Sequence, residues 1–391
     1  MATLLGARGT GRVKQASSDG RSLRVAVVTE YYYPHIGGIC ENVHHFVAEA
    51  RARGHQVDII TGRIPGVPER PHVITIPCSA TVHANGSTCR LTLGRGLRSK
   101  LRHVLRDGAY DIVHVHAPLA PSLPMIAIEE AECPVVGTFH AYHEFSVAYA
   151  FGRRYFQGLL DCIDAKLPVS AAARDAVAKY FTGDWTIVPN GVDTTRFTPD
   201  APRAAAMPTD RPAVLFVGRF DPRNGLPVLI DAFKRLRSRG TSAQLVVVGD
   251  GPLRSRYHAL ADGRDDITFL GHVNDGLERY YAHAAVYACP ATLGSFGITL
   301  LEAMACGTPI VCYDTPGFRG VVEHGEQALM TPPGDVGALA DAFERVLEDD
   351  ALRMRMGNAG RKRASAFAWP RIAEQTLTVY ERLVTGRREG A

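Results

Sequence analysis

The sequence has no long apolar run: no stretch reaches the ~20 consecutive apolar residues that a membrane-spanning helix needs. Its eight cysteines include no C-x2-C pair, so neither a zinc site nor a redox motif is indicated, and reduced thiols favour a cytoplasmic protein. A large excess of one charge sign is also lacking, because 44 Lys and Arg are balanced by 40 Asp and Glu, which gives a formal net charge of +4. This balance excludes a polycation that binds nucleic acid over its whole surface, so an anionic partner would need a local patch.

The chain divides into a leader, two large blocks and a closing segment. Residues 1–22 are rich in basic, glycine and serine residues but lack a sustained apolar stretch, so we expect a disordered leader rather than a signal peptide. Two blocks follow, 23–199 and 200–368, and the second begins with a linker rich in proline and alanine at 200–212. We expect residues 369–391 to form a helix and tail.

Short β-branched runs alternate with helix-like segments in both blocks, the pattern of doubly wound α/β sheets. The predicted strands are RVAVV (Arg24 to Val28), VDII (Val57 to Ile60), HVITI (His72 to Ile76), DIVHVH (Asp111 to His116), PVVGTF (Pro134 to Phe139), AVLFVG (Ala213 to Gly218), QLVVVG (Gln244 to Gly249), ITFLG (Ile267 to Gly271), AVYACP (Ala285 to Pro290) and PIVCYD (Pro309 to Asp314). Such sheets bind ligands at the carboxyl ends of their strands, so two facing lobes favour an enzyme with two substrates in a cleft.

Two strand ends in the first block carry candidate functional residues. Gly37 and Gly38 follow the first strand, where paired glycines let a ligand approach the backbone and the next helix offers N–H groups to an anion; a tight turn that binds nothing is the alternative. His140 follows PVVGTF, where it could bind a sugar hydroxyl, shuttle a proton or serve only the structure. His114 and His116 lack a third ligand at a recognisable spacing, so no metal site is expected.

The second block has two glycine-rich strand exits. Arg219 follows its first strand, where a guanidinium can clamp a diphosphate through paired charge-assisted bonds or instead form a surface ion pair with Asp221. Gly249 ends the next strand, an arrangement that suits a closely approached ligand.

The segment from Gly294 to Pro309 is the most informative. Ser295, Phe296, Gly297 and Ile298 open an apolar helix whose free N–H groups and dipole can neutralise a phosphate. Glu302 lies inside this helix. A buried carboxylate needs a partner, which would be either ribose hydroxyls or a basic side chain.

A basic segment, Arg90 to Arg106, contains six Lys or Arg residues and no acid. Leucines and a valine recur beside these charges at helical spacing. That pattern predicts either an amphipathic helix on a membrane surface, with Arg95, Arg98, Lys100 and Arg102 in contact, or a core-packed helix with a solvated basic face.

Seven motifs in the expected order make the chain similar to the family-four retaining glycosyltransferases of the GT-B fold: YPHIGGI, TFH, VPNGVD, GRFDPRNG, VVVGDGPLR, FLGHV and SFGITLLEAMACGTPIV. The resemblance runs from Arg24 to Leu383. Within the family, the N-terminal motifs are most similar to those of actinobacterial phosphatidylinositol mannosyltransferases: Asn85-Gly86-Ser87-x-x-Arg90-Leu91, His116-x-Pro118-x-x-Pro121-Ser122 and Thr138-Phe139-His140.

The resemblance implies two Rossmann-like lobes facing a cleft, with a C-terminal helix that crosses back to the N-lobe. It implies metal-independent transfer of a hexose, with mannose as the leading candidate, from a nucleotide diphosphate sugar to a hydroxyl acceptor of the phosphatidylinositol type. No cofactor is implied, and the basic helix would contact an anionic membrane. The resemblance implies His140 and Arg219 as catalytic residues. It implies a donor site of Gly37, Gly38, Arg219, Val273, Ser295, Phe296, Gly297, Ile298 and Glu302, and an acceptor site of Asn85, Arg90 and His140. Gly249, from its strand exit, and Arg223, from its place beside Asn224, complete the predicted donor site.

Two positions depart from the family pattern on the donor side. Asn224 stands where the family has a phosphate-binding lysine, and Gly294 stands where the first glutamate of E-x7-E is expected. Either the enzyme is shaped for a different donor, with Arg223 supplying the missing charge, or the chain is an impaired homologue that binds nucleotide or glycan as a partner protein.

Overall fold

The computed structural model describes residues 22–34, 37–77, 79–84, 87–142, 145–273 and 275–389, with the backbone alone at 79–84, 87–90 and 387–389. The predicted leader therefore lies outside the described residues, apart from Ser22. Within the described part, no helix is long and apolar enough to cross a membrane.

The N-lobe is a six-stranded parallel sheet in the order β3-β2-β1-β6-β7-β8, with a separate antiparallel hairpin formed by β4 and β5. Its strands are β1 (Arg24–Val28), β2 (Gln56–Gly62), β3 (Val73–Ile76), β4 (Ser79–Ala84), β5 (Ser87–Thr92), β6 (Ile112–His116), β7 (Val135–Phe139) and β8 (Ala165–Pro168). Its helices are α1 (Gly38–Ala52), α2 (Leu97–Gly108), α3 (Leu123–Glu130), α4 (Val147–Phe151), α5 (Arg153–Asp161) and α6 (Ala171–Ala178).

The C-lobe repeats this plan, with the parallel order β11-β10-β9-β12-β13-β14. Its strands are β9 (Ala213–Val217), β10 (Gln244–Val248), β11 (Ile267–Gly271), β12 (Val286–Cys289), β13 (Ile310–Tyr313) and β14 (Ala328–Thr331). Its helices are α7 (Leu226–Ser238), α8 (Arg254–Leu260), α9 (Glu278–Tyr281), α10 (Ile298–Ala305), α11 (Pro316–Arg319), α12 (Val336–Glu348) and α13 (Asp350–Ala364), and 3-10 turns form at Pro222–Asn224 and Ser365–Phe367.

Each lobe reverses its strand order beside its first strand, between β1 and β6 and between β9 and β12. Ligands of open α/β sheets bind at such switch points, outside the carboxyl ends of the strands. All ten predicted strands are present. The structure adds the hairpin and the short strands β8 and β14, which the sequence analysis did not predict.

The last helix, α14 (Trp369–Glu389), crosses from the C-lobe to the N-lobe, as the resemblance implied. Trp369 is 4% exposed and belongs to the hydrophobic cluster around β1, β2 and α1. Its ring stacks on His45 of α1, with centroids 5.2 Å apart. Further along, the Tyr380 hydroxyl lies 2.6 Å from Nδ1 of His114 on β6.

Replacing Trp369 by alanine should destabilise the protein by about 3–5 kcal/mol, because truncating a buried aromatic leaves a cavity as well as losing burial. Chemical denaturation measures this loss. Met354→Ala on α13, where the side chain is 66% exposed, is the matched control and should change little. Equal stability of the Trp369→Ala protein and the wild type would contradict the packing of α14 described above.

Candidate active site

A cavity of about 600 Å³ lies between the lobes, at the carboxyl ends of the two sheets. The C-lobe contributes most of its wall, including five residues of the predicted donor site, and the N-lobe contributes side chains from and just before α1. The residues used below are Tyr33, Glu41, His45, Arg196, Gly218, Arg219, Gly249, Val273, Ile298, Glu302 and Trp369. This is a concave site of the size that small-molecule ligands occupy in proteins.

Two neighbouring strand ends bring their backbones together at the cavity wall. Gly249 has a φ of +142°, and a Cβ atom there would lie 1.9 Å from the carbonyl oxygen of Gly218. Only glycine therefore fits at this strand exit. The sequence predicted a closely approached ligand at Gly249. What approaches Gly249 is the backbone at the end of the neighbouring strand β9, although Gly218 and Gly249 both line the cavity.

Arg219 is the candidate diphosphate ligand. Its side chain is 57% exposed, lines the cavity and lies 3.8 Å from Asp221. This loose ion pair leaves most of its five N–H donors available for an anion.

The next residues form a tightly bonded turn. Arg223 makes a bidentate contact with Asp221, at 3.0 Å from Nε and 2.8 Å from Nη2, and this contact holds the pKa of the Asp221 carboxyl below its ordinary value. Asn224 donates from Nδ2 to the carbonyl oxygen of Arg219 at 2.7 Å. Arg223 is thus committed to Asp221, whereas Asn224 fixes the backbone that carries Arg219.

Glu302 on α10 faces the cavity with one carboxylate oxygen unpaired. Its buried Oε2 has no partner in hydrogen-bonding geometry among the described residues, and the Tyr281 hydroxyl lies near the carboxylate without reaching that geometry. Burial raises the pKa of Glu302 to about 7, against the lowering influence of Tyr281 and Arg196. Arg196 is paired instead with Glu278, at 2.9 Å. The buried ion pair that the sequence left open as an alternative is therefore not formed within the described residues.

The loop that opens α10 is held against the N-lobe. A Cβ atom on Gly38 would lie 3.1 Å from Cδ1 of Ile298, and the Ser170 hydroxyl donates to the carbonyl oxygen of Ser295. Gly297 has a φ of +95° and begins α10. The two glycine-rich segments singled out in the sequence therefore meet across the cleft.

Two buried aromatic side chains pack at this loop: Phe296 of the loop itself and Phe318 of α11. Phe296 is 4% exposed and packs against Phe367, so its side chain does not line the cavity. A Cβ atom on Gly294 would lie 2.6 Å from Cε1 of Phe318, which is itself buried. Phe318 thus fills the space that the first carbon of a glutamate at position 294 would need.

His140 directly follows β7 as predicted, but the residues lining the cavity do not include it. Its Nε2 lies 2.9 Å from Nδ1 of His116, and the two rings stack with centroids 5.2 Å apart. Burial lowers the pKa of His140 to about 3 and also lowers that of His116. A neutral His140 can donate or accept a hydrogen bond, but an imidazolium acid is disfavoured at neutral pH.

Sequence reasoning missed the N-lobe contribution to the cavity. Glu41 accepts a hydrogen bond from the Tyr33 hydroxyl at 2.7 Å and lies 3.5 Å from His45. Arg196 enters from the end of the first block. The one available signal was proximity, since Glu41 and His45 follow the paired glycines and Arg196 follows the VPNGVD motif.

The basic segment forms α2, whose apolar side faces inward. Leu97, Leu101 and Leu105 are at most 8% exposed and belong to the N-lobe core. Three of the helix's arginines are paired with acids at the end of α3: Arg98 with Glu129 and Glu130, Arg102 with Glu130, and Arg106 with Glu132. Arg95 and Lys100 are exposed and have no ion pair within the described residues. Membrane contact through α2 remains a prediction, now with fewer available charges.

Two further predictions concern acceptor and metal. Asn85 lies outside the described residues, and Arg90 is described by its backbone alone in β5. No group of three or more His, Cys, Asp or Glu side chains is arranged to hold a metal ion in the part of the chain that the structure covers.

Comparison with known proteins follows the same two-lobe division. Residues 36–196 match the family described as Glycosyltransferase Family 4, and residues 198–363 match Glycosyl transferases group 1. A phosphatidyl-myo-inositol mannosyltransferase of Mycobacterium leprae is 36% identical over 93% of this chain and 98% of its own length. The chain belongs to the family-four glycosyltransferases.

Other similar proteins agree with this assignment. The phosphatidyl-myo-inositol mannosyltransferase of Mycolicibacterium smegmatis is 32% identical over 92% of this chain and 94% of its own length. Among solved structures, sucrose-phosphate synthase from Thermosynechococcus elongatus superposes with a TM-score of 0.74 at 25% identity, covering 93% of this chain and 99% of that one. Anabaena HepE in complex with UDP and glucose superposes at 0.72 and 19% identity over 92% and 99% of the two chains, which supports the fold.

Glu302 makes the stability of this glycosyltransferase depend on pH. Its folded-state pKa of about 7 lies above the ordinary 4.5, so between these values the folded protein holds a proton that the unfolded chain releases. The contribution of Glu302 to the free energy of unfolding therefore falls as the pH rises from about 4.5 to about 7. Glu302→Gln removes the effect, so the melting temperature of the variant should rise relative to that of the wild type as the pH increases from 5 to 8. The gain should reach several degrees, since one kcal/mol corresponds to roughly 2–4 °C for a domain of this size.

Glu348→Gln makes the same chemical change at an exposed position on α12 and is the control. A difference between Glu302→Gln and the wild type that stays constant with pH would contradict a raised pKa.

Proposed function

We propose that this glycosyltransferase is a retaining, metal-independent enzyme that moves a hexose from a nucleotide diphosphate sugar to a hydroxyl of a phosphatidylinositol-type lipid. It would act in the cytoplasm, at the inner face of the membrane, with mannose as the leading candidate sugar. The observation that carries the proposal is the interlobe cavity, which is lined by Arg219 and Glu302, two residues that the resemblance implies as donor ligands. Relatives named phosphatidyl-myo-inositol mannosyltransferase, similar over nearly the whole chain, support the acceptor.

Different residues of the cavity would bind the nucleoside and the diphosphate of the donor. Val273 would flank the base and Glu302 would accept hydrogen bonds from the ribose hydroxyls, which satisfies its unpaired oxygen. Arg219 and the N–H groups at the start of α10 would bind the diphosphate. The charge that a metal ion neutralises in other glycosyltransferases would fall to this guanidinium and this helix terminus.

In the transfer step, the bond between the sugar anomeric carbon and the phosphate oxygen breaks while the acceptor hydroxyl oxygen bonds to the same face of that carbon. The acceptor proton passes to the departing phosphate oxygen, so no enzymic carboxylate nucleophile is needed. Arg219 stabilises the negative charge that develops on the diphosphate. His140, neutral at physiological pH, would hold a hydroxyl of the sugar or acceptor rather than supply a proton.

Arg219→Ala should lower the turnover number on the order of a hundredfold or more while leaving the fold intact, because it removes leaving-group stabilisation at an exposed position. The assay is release of nucleoside diphosphate from a panel of nucleotide sugars, with dispersed phosphatidylinositol as acceptor. Arg211→Ala, in the interlobe linker, is the matched control. Near-normal turnover by a folded Arg219→Ala protein would refute the assignment.

The two family departures allow a test of the alternative, an impaired homologue that binds nucleotide or glycan as a partner protein. The packing of Phe318 against Gly294 favours an enzyme shaped for its own donor, since overpacking a core costs roughly 1–3 kcal/mol. Gly294→Glu should therefore lower both melting temperature and transfer rate, and Asn224→Lys should not rescue it. A wild type inert with every donor, together with an active Asn224→Lys, Gly294→Glu double variant, would establish the impaired homologue instead.

A further inference from the structure

Helix α4 consists of apolar residues, yet none of them is buried. Its sequence is VAYAF, with Val147 59% and Phe151 90% exposed. Phe145 just before it and Tyr155 on α5 are 64% and 54% exposed. We refer to Phe145, Val147, Phe151 and Tyr155 as the aromatic patch. Isolated exposed apolar residues are ordinary, but a cluster of four within eleven residues indicates a binding surface.

The aromatic patch is held outward by a defined anchor. Tyr149, in the same helix, turns inward, with its ring centroid 5.4 Å from that of Phe156 and also 5.4 Å from that of Phe181. Ser146 caps the helix by accepting from the Tyr149 amide, and its own amide donates to the Tyr180 hydroxyl. Because one face of α4 is fixed to the core, the opposite face presents its rings to the surroundings as a stable surface.

Positive charge borders the aromatic patch. Arg153 and Arg154 are exposed, neither has an ion-pair partner among the described residues, and the sequence contains no acid from 145 to 160. Lys179 Nζ lies 6.0 Å from the Phe145 ring centroid. A groove of about 640 Å³ alongside is lined by Phe151, Arg154 and Glu129. Glu129 is paired with Arg98 and accepts a hydrogen bond from the Tyr155 hydroxyl at 3.1 Å, so its charge is already compensated.

We propose that the aromatic patch, with Arg153 and Arg154, docks the enzyme on an anionic lipid bilayer. The aromatic rings would enter the boundary between headgroups and acyl chains, and the guanidinium groups would meet lipid phosphates. A second copy of the chain fits less well, because a twofold contact would bring unpaired arginines face to face. The role of this surface rests on the proposed function: it would bring the acceptor side of the N-lobe to its lipid.

This assignment differs from the one based on the basic segment. The leucines of α2 are in the core and three of its arginines are paired with acids, so α2 can offer a membrane only Arg95, Lys100 and partly neutralised charge. The aromatic patch supplies the apolar area that α2 lacks.

Co-sedimentation of the full chain with vesicles of equal parts phosphatidylglycerol and phosphatidylcholine tests the proposal. Phe145→Ser with Phe151→Ser should weaken the partition constant by on the order of tenfold or more, since each exposed ring would lose its burial in lipid. Arg153→Gln with Arg154→Gln should weaken it severalfold and reduce its salt dependence. Met354→Ser, an equally exposed apolar residue on the C-lobe, is the matched control and should bind as the wild type does.

Phe151→Trp gives an independent readout, because insertion should shift its fluorescence to shorter wavelength on vesicles. Wild-type binding by the Phe145→Ser, Phe151→Ser protein, or loss of a dimer by that variant with unchanged vesicle binding, would overturn the proposal. The proposed function is tested separately by transfer to detergent-dispersed phosphatidylinositol. Transfer without vesicle binding would refute only the docking surface, and vesicle binding without transfer would refute only the lipid acceptor.

Discussion

The site depends on a carboxylate with one buried oxygen that forms no hydrogen bond within the described protein. Glu302 carries a buried, unsatisfied oxygen, and burial raises its pKa to about 7. An uncompensated group of this kind costs folding free energy unless a ligand satisfies it. This cost falls within α10, whose N-terminus borders the same cavity as Arg219 and the glycine-rich strand exits at Gly218 and Gly249. Under the proposed function, a nucleotide would supply the missing partners, since ribose offers hydroxyl donors and the diphosphate offers negative charge.

Close contact between the lobes makes that cavity a site with two sides. Small residues at the seam allow it: Gly38 packs on Ile298, and Ser170 bonds the backbone at Ser295. Helix α14 joins the same surfaces through Trp369, which lines the cavity and stacks on His45. Because the N-lobe side chains Glu41 and His45 line the same cavity as Arg219 and Glu302, a nucleotide bound there would contact both lobes.

Much of this arrangement could be predicted from the sequence. Buried parallel strands can be recognised in a sequence as continuous apolar runs, and all ten strands predicted in this way were confirmed. The order of the motifs indicated the family. The side-chain pairings could not be predicted. The leucines of α2 have the same spacing whether they face lipid or core, and the acids that pair with Arg98, Arg102 and Arg106 lie 26 to 32 residues away. The roles of Asn224 and Gly294 likewise depend on contacts with Arg219 and Phe318 that only the folded chain brings together.

The most direct test of the account is whether Glu302 recognises ribose. Calorimetric titration would compare the nucleoside diphosphate that stabilises the enzyme most with its 2′,3′-dideoxy counterpart, for wild type and Glu302→Gln. A hydrogen bond to a charged group is worth about 1.5–3 kcal/mol, so the wild type should bind the dideoxy compound about tenfold or more weakly. Glu302→Gln should bind the parent nucleotide more weakly and distinguish the two compounds much less. Equal discrimination by both proteins would contradict the placement of the nucleotide in this cavity.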